Sequence, residues 1–251
     1  TSLGLQEKPF DLKSLECFAG CGGSSTGYRM AGFRVLLASE FVEAARDAYR
    51  LNARPETILD GRDIREVSGQ EILDRVGLKV GELDVLDGSP PCASFSTAGK
   101  REKGWGTVKK YSDTEQRADD LFFEFARLVG EIKPKVFVAE NVSGLVKGTA
   151  KGYFLEILAA LKANGYRVSA KLLDAQWLGV PQARQRLIFV GVRYDLGLDP
   201  VHPKPLPYRY SIRDALPWIS KVSSNSSYIQ TWHDADRPSP TVTATIPTKS
   251  L

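Results

Sequence analysis

The sequence predicts an α/β fold, a doubly wound and mostly parallel sheet, on two observations. Short apolar runs alternate with stretches whose apolar residues recur at helical spacing, and the first apolar run ends in a glycine-rich loop that opens a helix. In order, "KSLECFAG" (13–20) reads as a strand and "GGSSTGYRMAG" as the loop and helix after it. "FRVLLASE" (33–40) reads as a second strand, "FVEAARDAYRLN" as a helix, and a short third strand precedes Asp63. "ELDVLDGS", "PKVFVAEN" (134–141), "RVSAKLLD" and "RLIFVGVR" (186–193) are further strands. "QRADDLFFEFARLVGEI" and "GYFLEILAALKANGY" carry helical periodicity. Strands that take turns with helices need crossover connections, and these make the sheet largely parallel. Ligands of such sheets lie outside the carboxyl ends of the strands. That rule directs attention to Gly20, Glu40, the stretch from Ser89 to Cys92, and Glu140 with Asn141. From about Asp195 the pattern decays into "DPVHPKPLPYRY" and "ISKVSSNSSYIQ", so a first domain over 1–195 and a different region over 196–251 are expected.

Bulk properties narrow the class. With 251 residues, 42% hydrophobic and 25% charged, the chain is long enough for one main globular core. It has no apolar run of about 18 residues and no basic-then-apolar leader, which predicts a soluble, cytoplasmic protein without membrane partners. Three cysteines (Cys17, Cys21, Cys92) without C-x-x-C spacing argue against a disulfide framework and a zinc site, so no metal is expected. A net charge of +4 is compatible with a polyanionic partner and does not require one.

The loop "FAGCGGSSTG" lies where nucleotide-type ligands bind, because glycines at 20, 22 and 23 let backbone approach and the helix start presents free amides. Glu40 ends the second strand, a position from which a carboxylate grips ribose hydroxyls. Ser25 stands where the third glycine of the dinucleotide fingerprint belongs, so a nucleoside without pyrophosphate suits the loop better than NAD. Asp63 is placed to accept from an adenine amino group. The same residues also suit a plain tight turn with Ser24 or Ser25 as helix cap.

In "LDVLDGSPPCASFSTAGKREKGWG" two prolines stiffen the approach to Cys92, which preorganises a thiol at the sheet edge. From Lys100 to Lys110 five basic residues face one acid, and glycines flank Trp105. A basic flap beside a nucleophile suits closure on a phosphate backbone; a buried structural thiol and a solvated loop are the plain alternatives. "VFVAENV" ends a buried strand on Glu140 and Asn141, where desolvation favours a carboxyl that donates a proton. Arg184 and Arg186, two apart in "PQARQRLIFVGVR", point to one side if extended and suit a base oxygen and a phosphate.

Together "FAGCGGSSTG", "GSPPCASFS", "AENVSGL" and "QARQRLIFVGVR", in this order over roughly 13–193, resemble the DNA (cytosine-5)-methyltransferase family. The resemblance implies a Rossmann-like, class I S-adenosylmethionine-dependent fold with S-adenosylmethionine as cofactor and double-stranded DNA as partner, the cytosine being flipped out of the helix. It implies that Cys92 is the nucleophile on cytosine C6, Glu140 the acid on the cytosine with Asn141 beside it, and Arg184 and Arg186 the pair beyond. It places Phe18, Gly20, Gly22, Gly23, Glu40, Asp63 and Pro91 near the cofactor. On it, 1–195 is the catalytic domain, 196–251 the start of an incomplete target-recognition region, and a bacterial restriction-modification role is expected. The family's two later blocks are not found; "DADRPSPTVTATIPTKSL" resembles the lead-in to the first. A second polypeptide, or a remainder of the same chain, is therefore expected to supply them. A silent DNA-binding homologue is the alternative, and the C-F-T signature of the tRNA-methylating branch is not found.

Overall fold

The computed structural model describes residues 11–91, 109–111, 114–116, 120–146, 150–226 and 229–241. The alternating pattern yields β1 (Leu12–Cys17), α1 (Gly23–Met30), β2 (Phe33–Ser39), α2 (Glu43–Asn52), β3 (Ile58–Asp60), α3 (Gly69–Val76) and β4 (Val85–Gly88). There follow β5 (Lys109–Tyr111), β6 (Thr114–Gln116), α4 (Leu121–Ile132), β7 (Val136–Val142), α5 (Ala150–Ala163), β8 (Tyr166–Asp174) and β9 (Gln185–Arg193). Last come α6 (Ile212–Ala215), β10 (Lys221–Ser226) and β11 (Ile229–Asp234).

Seven strands form one sheet in the order β3-β2-β1-β4-β7-β9-β8. The pairs β2–β3, β1–β2, β1–β4 and β4–β7 are parallel. The Arg193 amide meets the Lys135 carbonyl while Gly191 faces Phe137, so the β9 chain runs against β7 and the sheet is mixed. Strand order reverses between β1 and β4, and the crevice at their carboxyl ends is where such a sheet takes its ligand.

Two departures from the periodicity have local causes. The helix expected from Gln116 begins at Leu121, because Gln116 pairs in β6 with Lys109. Helix α3 was not read from the sequence, although Ser68 and Glu71 form a reciprocal capping box at its start and Gly77 ends it at φ 67°.

The chain divides into two compact units, one of residues 1–170 and 188–201, the other of 171–187 and 202–251. The first unit's core lies against the middle of the sheet. Helix α4 buries Leu121, Phe122, Phe125, Ala126, Leu128, Val129 and Ile132. Edge-to-face rings run from Phe122 to Phe125, Phe125 to Phe137 and Phe137 to Tyr166, with centroids 5.2–6.1 Å apart. The second unit contains the antiparallel hairpin β10–β11 and α6, whose Ser211 and Asp214 form another capping box. There Arg209 lies over the Trp177 ring at 4.9 Å, and the Ala183 amide donates to Ser239 O at 2.7 Å.

Gly191 is a packing requirement: a Cβ there would sit 2.0 Å from Phe137 Cε1. Gly191→Ala is expected to destabilise the protein by about 1–3 kcal/mol or more, read as a lower urea midpoint. Gly23→Ala, whose Cβ would meet nothing within 4 Å, should leave that midpoint nearly unchanged.

Candidate active site

The crevice is built by three strand ends. After β1 the chain turns sharply at Phe18, whose φ of 59° is rare for an aromatic residue and strained. Ser89 stabilises that turn, its hydroxyl donating to Phe18 O at 3.0 Å and its amide to Cys17 O at 3.3 Å. Gly20 (φ 54°) and Gly22 (φ 87°) continue the left-handed path, and Gly22 also leaves room for the Tyr49 ring, 3.0 Å from where a Cβ would be.

Glu40 ties the loop to the next strand. One carboxylate oxygen accepts from the Gly20 amide and the other from the Val42 amide, both at 2.8 Å. The residue is nearly buried, and each oxygen keeps a lone pair for a further donor. Beside it a cavity of about 200 Å³ is lined by Phe18, Ser39, Glu40, Phe41, Val42, Arg62, Ile64, Ser89 and Pro91. That is below the roughly 300–1,000 Å³ of drug-sized sites and suits one nucleoside.

Of the cofactor residues expected from sequence, Phe18, Glu40 and Pro91 line this cavity. Gly20, Gly22 and Gly23 shape the loop and the start of α1 without lining it. The Asp63 carboxylate accepts from the Arg65 amide at 3.0 Å and pairs with its guanidinium at 2.9 Å; its neighbour Ile64 reaches the cavity. Phe41, Val42, Arg62 and Ile64 were missed, although each follows a strand end within four residues and was open to the same positional rule. Arg62 is held rigidly, two of its nitrogens on Asp60 and a third on Glu71. Burial pushes the Asp60 carboxyl up, but Arg62 and Arg75 outweigh it and hold the group below its ordinary value.

Cys92 lies outside the described residues, as does most of the basic flap; its end, Lys109–Tyr111, pairs with Thr114–Gln116. The approach to Cys92 is visible as far as Pro91, and Asn141 positions it. That buried side chain donates from Nδ2 to Pro90 O at 3.3 Å and accepts the Val142 amide at 2.8 Å. Glu140 is half-buried in β7. Arg184 and Arg186 lie in the second unit, Arg184 just before β9 and Arg186 within it, where Nη1 donates to Gln185 O. Among the described residues no cluster of His, Cys, Asp or Glu could hold a metal. Nor is any helix among them long and apolar enough to cross a membrane.

Beneath the glycine loop lie two carboxyls that no motif singles out. Glu16 and Asp87 pair across β1 and β4 and are buried. Asp87 accepts from Ser24 at 2.7 Å and Tyr28 at 3.1 Å; Glu16 accepts from Ser25, which also bonds Tyr49. Burial pushes Glu16 up to about 7 and Asp87 up to about 6. From ordinary values of 4.5 and 3.8, both rise on folding, so the folded protein binds more protons through this range. Their contribution to stability is full below about pH 4 and is lost as the pH rises through about 6 and 7. Thermal unfolding is expected to show Tm falling from pH 5 to pH 8, and Glu16→Gln should flatten that fall.

Comparison with known proteins agrees with this architecture. The pattern of the family described as C-5 cytosine-specific DNA methylase matches residues 12–242. The Type II methyltransferase M.PspPI of a Psychrobacter species is 37% identical over 205 residues, covering 80% of this chain and 45% of the relative. M1.HphI of Haemophilus parahaemolyticus is 33% identical over 225 residues, covering 89% of this chain and 57% of the relative. The chain thus spans about half the length of the curated relatives it matches. A crystal structure described as a DNA modification methyltransferase encoded within an E. coli prophage superposes with a TM-score of 0.67. It is 26% identical and covers 86% of this chain and 59% of its own. DNMT2 of Spodoptera frugiperda, 22% identical with a TM-score of 0.58, shares the fold. With a family match over nearly its whole length on a mostly parallel, S-adenosylmethionine-type sheet, the chain belongs to the C-5 cytosine-specific DNA methylase family.

Proposed function

We propose that this protein methylates C5 of cytosine in double-stranded DNA, using S-adenosylmethionine as methyl donor. The observation that carries the reading is the nucleoside-sized cavity whose wall includes Glu40, fixed by two backbone amides, and Pro91, the residue before Cys92. The cavity lies at the strand-order reversal, and Cys92, to which we give the role of nucleophile, follows its wall residue Pro91 in sequence. The residues fit the cofactor: Glu40 retains lone pairs for ribose hydroxyls, and Phe18, Phe41 and Ile64 supply apolar surface for a base. S-adenosylmethionine, when bound, supplies an electrophilic methyl group on a sulfonium.

The chain's own groups supply the rest. Cytosine C5 is a poor nucleophile until a thiolate adds to C6, which is the task given to Cys92. Glu140 donates a proton to N3 as the Cys92–C6 bond forms, so that the electron pair reaches C5. After methylation a water takes the C5 proton, the electron pair of that C–H bond restores the C5–C6 double bond, Cys92 leaves as thiolate and Glu140 recovers its proton from N3. Asn141 keeps the Pro90–Pro91 backbone in place by its bond to Pro90 O. Arg184 and Arg186 hold the base oxygen and a phosphate. A cytosine inside a stacked duplex exposes no C6, so it must be flipped out, which costs a few kcal/mol that phosphate contacts offset. Asp63 assists on the adenine side, and the likeness to Type II methyltransferases supports a role in a restriction-modification system. Nothing in the comparisons supports the second polypeptide expected from sequence.

Two experiments test this. Incubation with S-adenosylmethionine and a mixed-sequence duplex carrying 5-fluorocytosine should give a denaturation-resistant adduct that maps to Cys92 and is lost in Cys92→Ala. No adduct would favour a silent DNA-binding homologue. Glu40→Gln should weaken S-adenosylhomocysteine binding by calorimetry about 10–100-fold, the loss of charge-assisted hydrogen bonds worth about 1.5–3 kcal/mol. Unchanged affinity would remove Glu40 from the site.

A further inference from the structure

Arg209, in the second unit, carries a charge that no acid answers. Among the described residues it makes no ion pair, whereas Arg62, Arg75, Arg127, Arg193 and Arg213 all meet carboxylates. Its guanidinium lies over the Trp177 ring, 4.9 Å from the centroid, and Nη1 donates to Gln176 Oε1 at 3.1 Å. Both partners are neutral. The acid behind them, Asp174, is taken up by Gln176, accepting from its backbone amide at 3.3 Å and from Nε2 at 2.8 Å. Arg167, in the first unit, is the contrast: it too lies over a ring, Tyr194 at 5.6 Å, but its Nε reaches Asp199 at 3.6 Å.

Local chemistry fixes this arrangement. From Pro200 to Arg213 the chain has no acid, and Pro203, Pro205 and Pro207 alternate with His202, Lys204 and Leu206. Each proline fixes its own φ and drives the residue before it to an extended backbone, so the strap leading to Arg209 is stiff. The Leu206 amide pins that strap by donating to Trp177 O at 2.7 Å. Tyr208 and Tyr210 turn to each other, ring centroids 5.2 Å apart, while Arg209 between them lies on Trp177. Trp177 ends the short turn Ala175–Trp177, and the Ala175 amide donates to Arg184 O at 3.0 Å. Arg209 is thus held on a turn bonded to the segment that carries Arg184 and Arg186. Both Arg209 and Trp177 stay exposed.

We propose that Arg209, laid flat on Trp177 and anchored by Gln176, binds a phosphate of the DNA, with Trp177 as its positioning residue. A guanidinium has five N–H donors; the ring takes its face and Gln176 one donor, which leaves the others for a group that accepts twice, as a phosphate does. Stacking also removes in advance part of the rotamer entropy that a free arginine loses on binding. The duplex is the densest anion available to such a residue, with one charge per about 1.7 Å of axis. The proposal rests on the methylation reading for the identity of the anion. It adds a contact that lies outside the cofactor cavity and away from the reacting base.

The test is fluorescence anisotropy with a labelled mixed-sequence duplex over a range of salt, S-adenosylhomocysteine present throughout. Arg209→Gln should weaken binding about 3–10-fold at low salt and lower the slope of log K against log salt by about one. Arg209→Lys keeps the charge but not the flat stack, so it should keep the slope and lose part of the affinity. Trp177→Ala should also weaken binding, and its loss should not add to that of Arg209→Gln, because both act on one contact. Should Trp177→Ala not fold, Trp177→Leu, which keeps apolar volume without a π face, takes its place. Arg167→Gln removes an equal charge that is already paired and should change neither affinity nor slope. Unchanged affinity and slope in Arg209→Gln overturn the proposal, and an equal fall in Arg167→Gln overturns it by assigning the effect to net charge. Additive losses overturn the positioning role of Trp177. S-adenosylhomocysteine affinity should stay at the parent's; a fall in Arg209→Gln with an unchanged thermal midpoint puts Arg209 on the cofactor and overturns the phosphate contact. The methylation reading fails separately, by absence of the 5-fluorocytosine adduct in a parent that binds DNA, and a parent that binds no duplex at any salt overturns both.

Discussion

The site depends on the Glu40 carboxylate and the two backbone amides it accepts from. Gly20 belongs to the loop after β1 and Val42 to the turn into α2, so one carboxylate ties those two segments together. The Glu40 amide in turn donates to Asp60 O at the end of β3. Three adjacent strand ends are thus locked into one rim. Each charge-assisted bond contributes about 1.5–3 kcal/mol, enough to hold a loop that contains a strained Phe18 and two left-handed glycines. Glu40 also lines a nucleoside-sized cavity, so the residue that fixes the loop stands where a ligand would be read.

Beneath that rim the molecule does something costly. Burying Glu16 and Asp87 without a cation is unfavourable, and hydroxyls from one helix are the compensation. Helix α1 begins above them with the positive end of its dipole, which favours negative charge below. A fully apolar layer there would be more stable at neutral pH, because each raised carboxyl loses stability as it ionises.

Much of the fold was legible because periodicity and short-range chemistry decided it. The runs 13–20, 33–40 and 134–141 are strands in substance, since apolar β-branched and aromatic residues bounded by glycine and charge have few other options. Helix α3 escaped because its signal was a cap rather than a long stripe, and the onset of α4 was misread because pairing with β5 recruits Gln116 into a strand. The positional rule picked Glu40 and the stretch that holds Pro91 from chain order alone, and the family resemblance added Phe18. The rule stopped at the strand ends and so passed over Phe41 and Arg62, each two residues beyond one.

The sequence by itself determined the order of strands and helices, the glycine path of the first loop, and a set of motifs specific enough to indicate a family. Those depend on residues near one another in the chain. Only the tertiary structure decided which partners distant residues found. It put the Asn141 amide on Pro90 O, the Asp63 carboxylate on Arg65, and Glu16 beside Asp87 although 71 residues separate them. Strand register and helix docking set those contacts, and register between parallel strands is fixed by the packing of whole faces rather than by any local run of residues.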